Sequence, residues 1–467
     1  MFYQVPQHID NNKVFIVQRS EIEGRLDPKM ALYNRKVQNS LYPKVKLKDV
    51  LVCKPQYGAS EPGVPRSSIK EPRYIRITDI DENGLISHDE LGATAKIIED
   101  KYILCENDIL IARSGATVGK AYIHKPALYD CFFAGYLIRF IINTDKALPE
   151  YIFTYTQLNA YKEWVNAIQR PSGQPNINSE EYQSLEIPLP NLEKQQVIVD
   201  VIKSAYLRKK QKEFEAQELL DSIDTYILNE LGITLPEIKT DLKNRIFKVN
   251  RSELEERLDP TVYKDGIKLN SSIFDNVKLS SVAFVNPTGT FKGKDIETPI
   301  SFIPMESVDE VYSEVSKLEI TTIENASGFT KFKEGDLLWA KITPCMQNGK
   351  SAIAKNLTNG LGCGSTEFFV MRSKDEQLAI EYLHVILHMK CVRETAMLYF
   401  GGSAGQQRVS SAFLENFNLP LPPKGKQIEI VNHVCAMRQR AKVLQEEGKT
   451  ILENAKKEVE QMIIGDQ

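Results

Sequence analysis

The chain has 467 residues, 42% of them hydrophobic, and a formal net charge of −3. That length favours two or three domains and supplies enough apolar material for real cores. The near-neutral charge weighs against a strongly basic, self-sufficient nucleic-acid binder, and the absence of a long apolar run argues against a transmembrane helix.

Residues 1–13 carry neither the basic flank nor the apolar stretch expected of a signal peptide. The seven cysteines, at 53, 105, 131, 345, 363, 391 and 435, are scattered without a CxxC pair. This usage fits a reduced, cytoplasmic compartment better than a disulfide framework or a zinc site. Residues 15–28, FIVQRSEIEGRLDP, return at 247–260 as FKVNRSELEERLDP, with ten of fourteen positions identical. The offset of 232 is half the chain, so the sequence reads as one module made twice. Ser20 and Ser252 suit the cap of a short helix, which Pro28 and Pro260 would stop.

Lys44 to Arg76 holds eight Lys/Arg against three acids, a net +5 over 33 residues. Such a stretch predicts either a phosphate-facing surface or a solvated loop. The next landmark is an Asn-Asp or Gly-Asp, then an apolar run, then a polar turn. It occurs at Asn107-Asp108 before Ile109–Ala112 and at Gly335-Asp336 before Leu337–Ala340. The short apolar runs predict strands. The polar turns that follow, through Lys120 and Lys350, differ strongly between the copies. A shared frame with divergent polar loops is what two different recognition surfaces need. Helices are expected at Glu150–Ile168 and near Ala379–Met397.

A third paired landmark runs from Ser172 to Pro190 (SGQPN…IPLP) and from Ala404 to Pro422 (AGQQR…LPLP). The proline-rich pieces read as extended segments suited to a hinge. After each comes a long heptad pattern: Ile198, Ile202, Ala205, Ala216, Leu219, Ile223 and Tyr226, then Ile430, Val434, Met437, Ala441, Leu444, Gly448, Ile451, Ala455 and Met462. The register is shared after subtraction of 232, as expected for two helices that pair as a coiled coil. Glu193–Leu231 would reach roughly 58 Å, which suits a spacer rod. Two amphipathic helices, each packed on its own domain, are the alternative. The expected boundaries are 1–30 (lead-in with the first RLDP segment), 31–190 (first globular domain), 191–232 (first rod helix), 233–262 (connector with the second RLDP segment), 263–422 (second globular domain) and 423–467 (second rod helix).

Motifs for chemistry are scarce. Ser114–Lys120 resembles a phosphate loop, but it is one residue short and Ala121 stands where Ser or Thr would hold magnesium. The second copy has Pro344 where the first glycine belongs. Neither should cradle a nucleotide, and a tight turn between strands is the better reading. His384 and His388 share a helical face but lack a third ligand, so a packed or surface pair outweighs a metal site. Glu237-Ile-Lys239 matches a nuclease's acid-x-Lys element, yet it lies in a linker. No (N/D)PP(Y/F), GxGxxG, HExxH or serine or cysteine nucleophile motif occurs. The chain therefore reads as a recognition or scaffold protein.

The landmarks together resemble the specificity subunit of type I DNA restriction–modification systems, over nearly the whole chain. The resemblance rests on Tyr74–Ile80 (YIRITDI), Asn107–Lys120, and the PLP…Gln195-Gln196 helix start, with degenerate repeats at Phe302–Glu306, Asp336–Lys350 and Pro420–Gln427. It implies an α/β (α+β) chain: two similar target-recognition domains joined by two long antiparallel coiled-coil helices, pseudo-two-fold symmetric. It further implies a non-catalytic subunit that reads a split, asymmetric site in double-stranded DNA and has no cofactor of its own. The implied partners are two methyltransferase subunits that use S-adenosylmethionine and restriction/translocase subunits. Free-standing DNA-binding or scaffold proteins of the same fold, and specificity subunits of related methyltransferase or nuclease systems, remain alternatives. A nuclease or methyltransferase in its own right is disfavoured by the missing motifs.

Major-groove readout favours Arg, Lys, Asn and Gln. Candidate base readers are Lys70, Arg73, Arg76, Arg113, Ser114 and Thr117 in the first domain. In the second they are Lys292, Lys294, Lys341, Thr343, Gln347 and Asn348. Gln174, Asn176, Gln406, Gln407 and Arg408 are candidates for backbone or partner contacts, while Asp79 and Asp108 read as turn caps. The RLDP segments hardly differ between copies, so they suit an assembly surface rather than base reading.

Overall fold

The computed structural model describes residues 16, 29–31, 33, 40–86, 90–169, 175–236, 248–249, 259–402 and 406–465. Nearly all of both RSExExRLDP segments, Gln174 and Glu237–Lys239 lie outside them. The chain forms two compact units, Met1–Lys212 with Glu446–Gln467, and Glu213–Gln445.

In the first unit, strand Lys44–Lys46 pairs antiparallel with Glu186–Pro188. The IPLP segment is thus held in a two-stranded sheet rather than left as an open hinge. A four-stranded antiparallel sheet follows the order Gln56–Tyr57, Leu137–Phe140, Ile109–Ala112, Ala121–Ile123. Ile109–Ala112 is buried along its whole length because both faces of the sheet are covered. Ile109 and Ile111 pack with Tyr151, Trp164 and Ile198, while Leu110 and Ala112 pack with Ile75 and Phe133 of a second sheet. A strand covered on both faces reads as a continuous apolar run, and each buried Ile or Leu contributes about 1.5–3 kcal/mol. The second sheet is mixed, with Arg73–Ile75 parallel to Cys131–Phe133.

The second unit repeats these parts. Asn276–Lys278 pairs with Asn418–Pro420. The antiparallel sheet runs Ala283–Val285, Phe368–Ser373, Leu337–Ala340, Ser351–Ile353. The mixed sheet sets Pro299–Ile303 parallel to Leu361–Gly364. Leu337 and Trp339 face the helices, and Leu338 and Val370 face the mixed sheet. The two strands expected from apolar runs therefore occupy equivalent places, at the centre of equivalent sheets.

Each expected domain helix is broken in two. Glu150–Ile168 becomes Pro149–Tyr155 and Asn159–Ile168, and Ala379–Met397 becomes Ile380–His388 and Lys390–Met397. A carboxylate from a residue distant in sequence meets each new N-terminus. Glu460 accepts the Ala160 N–H at 2.7 Å, and Asp224 accepts the Lys390 N–H at 2.7 Å. Free N–H groups and the helix dipole make both breaks tolerable. Burial pushes the Asp224 carboxyl above its ordinary range, although the Lys390 N–H pulls the other way.

The long helices span Leu192–Glu230 and Lys424–Ile464. Gln195 and Gln427 near their starts are both 0% exposed. Gln195 accepts the Leu148 N–H at 2.8 Å and donates to the Pro190 carbonyl at 2.8 Å. Gln427 does the same with Ala379 at 2.8 Å and Pro422 at 2.9 Å. Tyr151 donates to the Pro188 carbonyl, as Tyr382 does to Pro420. The PLP…Gln motif is thus a splint between strand, domain helix and long helix.

Within the first unit, Ile198, Ile202 and Ala205 pack with Leu452, Ala455, Val459 and Ile463. Lys212 pairs with Glu447 at 2.9 Å. Within the second, Ala216 packs with Ala441 and Leu444, Tyr226 stacks on His433 with ring centroids 4.1 Å apart, and Lys426 pairs with Glu230 at 2.5 Å. In both units rising numbers on one helix meet falling numbers on the other, so the segments run antiparallel.

Candidate nucleic-acid interface

Several motifs that single out both copies turn out to hold the scaffold. Asn107 and Gly335 take left-handed backbone conformations, with φ of 70° and 82°. Each turns the chain into its central strand. Asp108 then accepts the Cys105 N–H at 3.0 Å and pairs with Arg139 at 3.3 Å. Asp336 accepts the Lys333 N–H at 2.8 Å and holds the Arg372 fork through two 2.7 Å bonds. Burial pushes the Asp108 carboxyl up, against the pull of the Cys105 N–H and Arg139. Asp79 likewise caps a turn, accepting the Arg76 N–H at 2.8 Å.

The glycine–lysine pair that mimicked a phosphate loop has the same explanation. Gly119 and Gly349 have φ of 87° and 90°. A Cβ at Gly119 would stand 2.8 Å from Val165. The lysine ammoniums donate to main-chain carbonyls, Lys120 to Ile80 and Lys350 to Met305. The loop is the turn of a hairpin between Ile109–Ala112 and Ala121–Ile123, and in the second unit between Leu337–Ala340 and Ser351–Ile353.

The candidate surface is the polar corner just past each central strand. There, two stretches more than sixty residues apart in sequence meet. Arg113 donates its N–H to the Tyr136 carbonyl at 3.0 Å and accepts the Ile177 N–H at 2.8 Å. Ser114 bridges to Asn176, and the Gly115 N–H reaches the Pro175 carbonyl at 3.0 Å. In the second unit the Lys341 N–H reaches the Glu367 carbonyl at 2.9 Å, and the Val409 N–H reaches the Lys341 carbonyl at 2.9 Å. Ile342 bridges to Arg408, and the Thr343 N–H reaches the Gln407 carbonyl at 2.9 Å. The structure thus joins Arg113 and Ser114 with Asn176 on one corner, and Thr117 lies further along the same turn, its carbonyl accepting the Lys120 N–H at 3.1 Å. It joins Lys341 and Thr343 with Gln406, Gln407 and Arg408 on the other, while Gln347 and Asn348 lie further along the same turn, where the Gln347 carbonyl accepts from Arg393. Thr117, Asn176, Asn348 and Gln406 are exposed, and the rest are half-buried.

Other candidates fall elsewhere. Arg73 is 1% exposed, on a central strand of the mixed sheet and against Gly92, so it presents no donor to a duplex and leaves the interface. Arg66, counted in the basic stretch, is 3% exposed. It donates to the carbonyls of Leu91, Ile69 and Glu71 and lies over the Tyr129 ring. A guanidinium with five donors can be satisfied by clustered carbonyls, which is how Arg66 lies inside. Arg76 is half-buried and forked onto Asp79. Arg408 is forked onto Glu367, with bonds of 2.8 to 3.1 Å, and its third nitrogen donates to the Gln406 carbonyl. Lys70 is exposed in a turn, and Lys292 and Lys294 lie in the exposed loop 286–298 beside Phe291, a different loop from the 341–350 corner. Tyr57, Tyr136 and Glu367 border the corners and were not singled out, since no sequence spacing ties them to positions 113 or 341.

His384 and His388 are a packed pair. His384 shares a hydrogen bond with the Ser351 hydroxyl at 3.0 Å, and His388 bonds the Glu310 carbonyl at 3.1 Å. Burial pushes His384 down to about 3 and His388 well below its ordinary value, with Arg438 adding to both. Among the described residues no cluster of three or more metal-ligating side chains forms, and no helix is long and apolar enough to cross a membrane.

Comparison with known proteins gives these corners a family. Residues 73–221 and 272–451 match the model for the type I restriction modification DNA specificity domain. The type I restriction enzyme EcoEI specificity subunit of Escherichia coli is 34% identical over 190 residues, which are 40% of this chain and 31% of that protein. The EcoAI specificity subunit of the same organism is 31% identical over 212 residues, 45% of this chain and 34% of that protein. The chain thus spans about a third of the length of these two relatives. Among solved structures, one from work on complex assembly and conformational transition of the type I R-M system superposes with a TM-score of 0.51 at 16% identity, covering 90% of this chain and 97% of that one. The HsdS subunit from Thermoanaerobacter tengcongensis gives a TM-score of 0.40 at 17% identity, covering 91% and 97%. At 16% identity the first of these speaks for the fold alone. The two matched segments take in more than half of the chain and each contains one central strand with its polar corner, so the chain belongs to the family of type I restriction modification DNA specificity domains.

Proposed function

We propose that this chain is the non-catalytic DNA sequence-specificity subunit of a type I restriction–modification complex. In this reading it recognises a bipartite, asymmetric site in double-stranded DNA and docks methyltransferase and restriction subunits in the cytoplasm. Residues 31–190 and 263–422 act as the two target-recognition domains. The helices within 191–232 and 423–467 set the spacing between half-sites, and the RLDP segments within 1–30 and 233–262 serve assembly. Methyl transfer from S-adenosylmethionine and strand cleavage belong to the partners.

One observation carries the reading. The same corner is built twice on the same scaffold and held by equivalent main-chain bonds, while the side chains it carries differ. Conserved geometry with divergent donors is what reading two unlike half-sites requires, because base edges are told apart by donor and acceptor pattern. Lys70, Arg76, Arg113, Ser114, Thr117 and Asn176 serve the first half-site. Lys292, Lys294, Lys341, Thr343, Gln347, Asn348 and Gln406 serve the second, with Arg408 as a buttress of its corner. Phosphate affinity comes largely from the partners, consistent with a net charge of −3.

The test is to co-express the chain with its methyltransferase and map adenine methylation. The expected result is a bipartite motif whose unread gap is fixed and no longer than about one helical turn, roughly 10 base pairs. A continuous motif, or none, overturns the proposal.

A further inference from the structure

The two corners place their arginines in opposite states. Arg408, in the second unit, has its fork closed on Glu367 and its remaining nitrogen on Gln406. At the place equivalent to Glu367 the first unit has Tyr136, and at the place equivalent to Arg408 it has Asn176. No acid therefore stands at the equivalent place to close on Arg113. Its guanidinium carbon lies 5.0 Å from the centroid of the Tyr57 ring. Its Nε is buried without a hydrogen-bond partner, and its two Nη groups bond no described residue. Tyr57 is itself fixed, since its hydroxyl accepts the Ser179 N–H at 3.1 Å and lies 3.2 Å from the Ser179 hydroxyl. The Arg113 main chain is fixed on both sides by Tyr136 and Ile177.

A guanidinium held on an aromatic face, with unused forked donors at a polar corner, is prepared for a planar two-acceptor partner. Among the four base pairs, the partner of that shape in the major groove is guanine, through O6 and N7. We infer that Arg113 is the residue through which the first unit reads a guanine, with Tyr57 as the platform that pre-orders its fork. The second unit cannot use Arg408 in this way without opening the Glu367 pair, so the two half-sites are read by different chemistry. This inference rests on the DNA-recognition reading above and adds to it a named base at a named position.

The test maps adenine methylation of a randomised plasmid library by the full complex carrying each variant. In Arg113→Gln, the preference for guanine at one position of one half-site falls roughly 5- to 150-fold, the range of one bidentate base contact, and the other half-site keeps its motif. Arg113→Lys keeps a weakened preference at that same position, and it carries the test if the Gln variant fails to fold. Tyr57→Phe, which keeps the ring under Arg113 but loses the Ser179 bonds, keeps more of the preference than Tyr57→Ala, which lowers it at that position only, an effect that a merely structural role would spread over the motif. The inference is overturned if Arg113→Gln leaves the motif unchanged, lowers methylation evenly at every site as a phosphate contact would, or relaxes an A·T pair or the other half-site. A wild-type complex with no bipartite motif sinks the functional reading first, before any substitution is made, and this inference with it.

Discussion

The Asp-Arg pair beside each central strand gives an uneven pair of perturbations that the structure can rank. Asp336 is 1% exposed and holds both arms of the Arg372 fork at 2.7 Å as well as the Lys333 N–H at 2.8 Å. Asp336→Ala strips Arg372 of its fork partner and uncaps the turn. Removing one member of a buried pair costs about 3–5 kcal/mol, and the partial exposure of Arg372 brings the expected value to about 3 kcal/mol. Asp108 is 3% exposed, but Arg139 has other acceptors: the carbonyls of Ile103 at 2.9 Å and Lys101 at 3.0 Å, and the Gln56 side chain. Asp108→Ala should therefore cost only about 1–2 kcal/mol, mostly through the Cys105 N–H. Each unit has one tryptophan, Trp164 in the first and Trp339 in the second, both buried. Urea unfolding followed by fluorescence of single-tryptophan variants reads the units separately. With an m of about 3 kcal/mol/M, Asp336→Ala moves the second unit's midpoint down by about 1 M. A loss for Asp108→Ala equal to or larger than that for Asp336→Ala refutes the reasoning.

Two further outcomes follow from buried polar groups. Gln195→Ala leaves the Leu148 N–H and the Pro190 carbonyl without a partner, and Gln427→Ala does the same to Ala379 and Pro422. Each substitution should cost about 2–4 kcal/mol by thermal unfolding, and a loss under about 1 kcal/mol in either unit contradicts the splint. His384 and His388 have folded values below their unfolded one, about 3 for His384, so the unfolded chain binds more protons below about 6.5. The stability of the second unit is then undiminished by them above about 6.5 and falls as acid is added below it. Urea midpoints of the Trp339 signal at several pH values check this, and a His384→Gln variant with the same acid slope as wild type refutes it.

Much of the scaffold was legible because it is local. The runs Ile109–Ala112 and Leu337–Ala340 are strands with those limits, and the heptads mark the two long helices. Buried heptad positions such as Ile198, Ile202, Ala216, Val434 and Ala441 follow from periodicity alone. What was not legible depends on distant partners. A single helix over 150–168 is a fair local reading, and its break is stabilised by Glu460, some three hundred residues away. Arg66 and Arg73 count as surface charge in a sequence window, yet carbonyl clustering and sheet packing hold them inside. The repeated Gly-Lys pair was visible, but its purpose, a lysine tied to a carbonyl, needed the hairpin and the neighbouring turn. The meeting of 113–115 with 175–177 shows how two landmarks noted separately become one corner.

The most direct test of the account exchanges one recognition domain. Residues 31–190 are replaced by the corresponding domain of another family member, and adenine methylation is mapped before and after with the same methyltransferase. The account predicts that one half of the bipartite motif changes while the other half and the gap stay as they were. A change in both halves, or in neither, would contradict it.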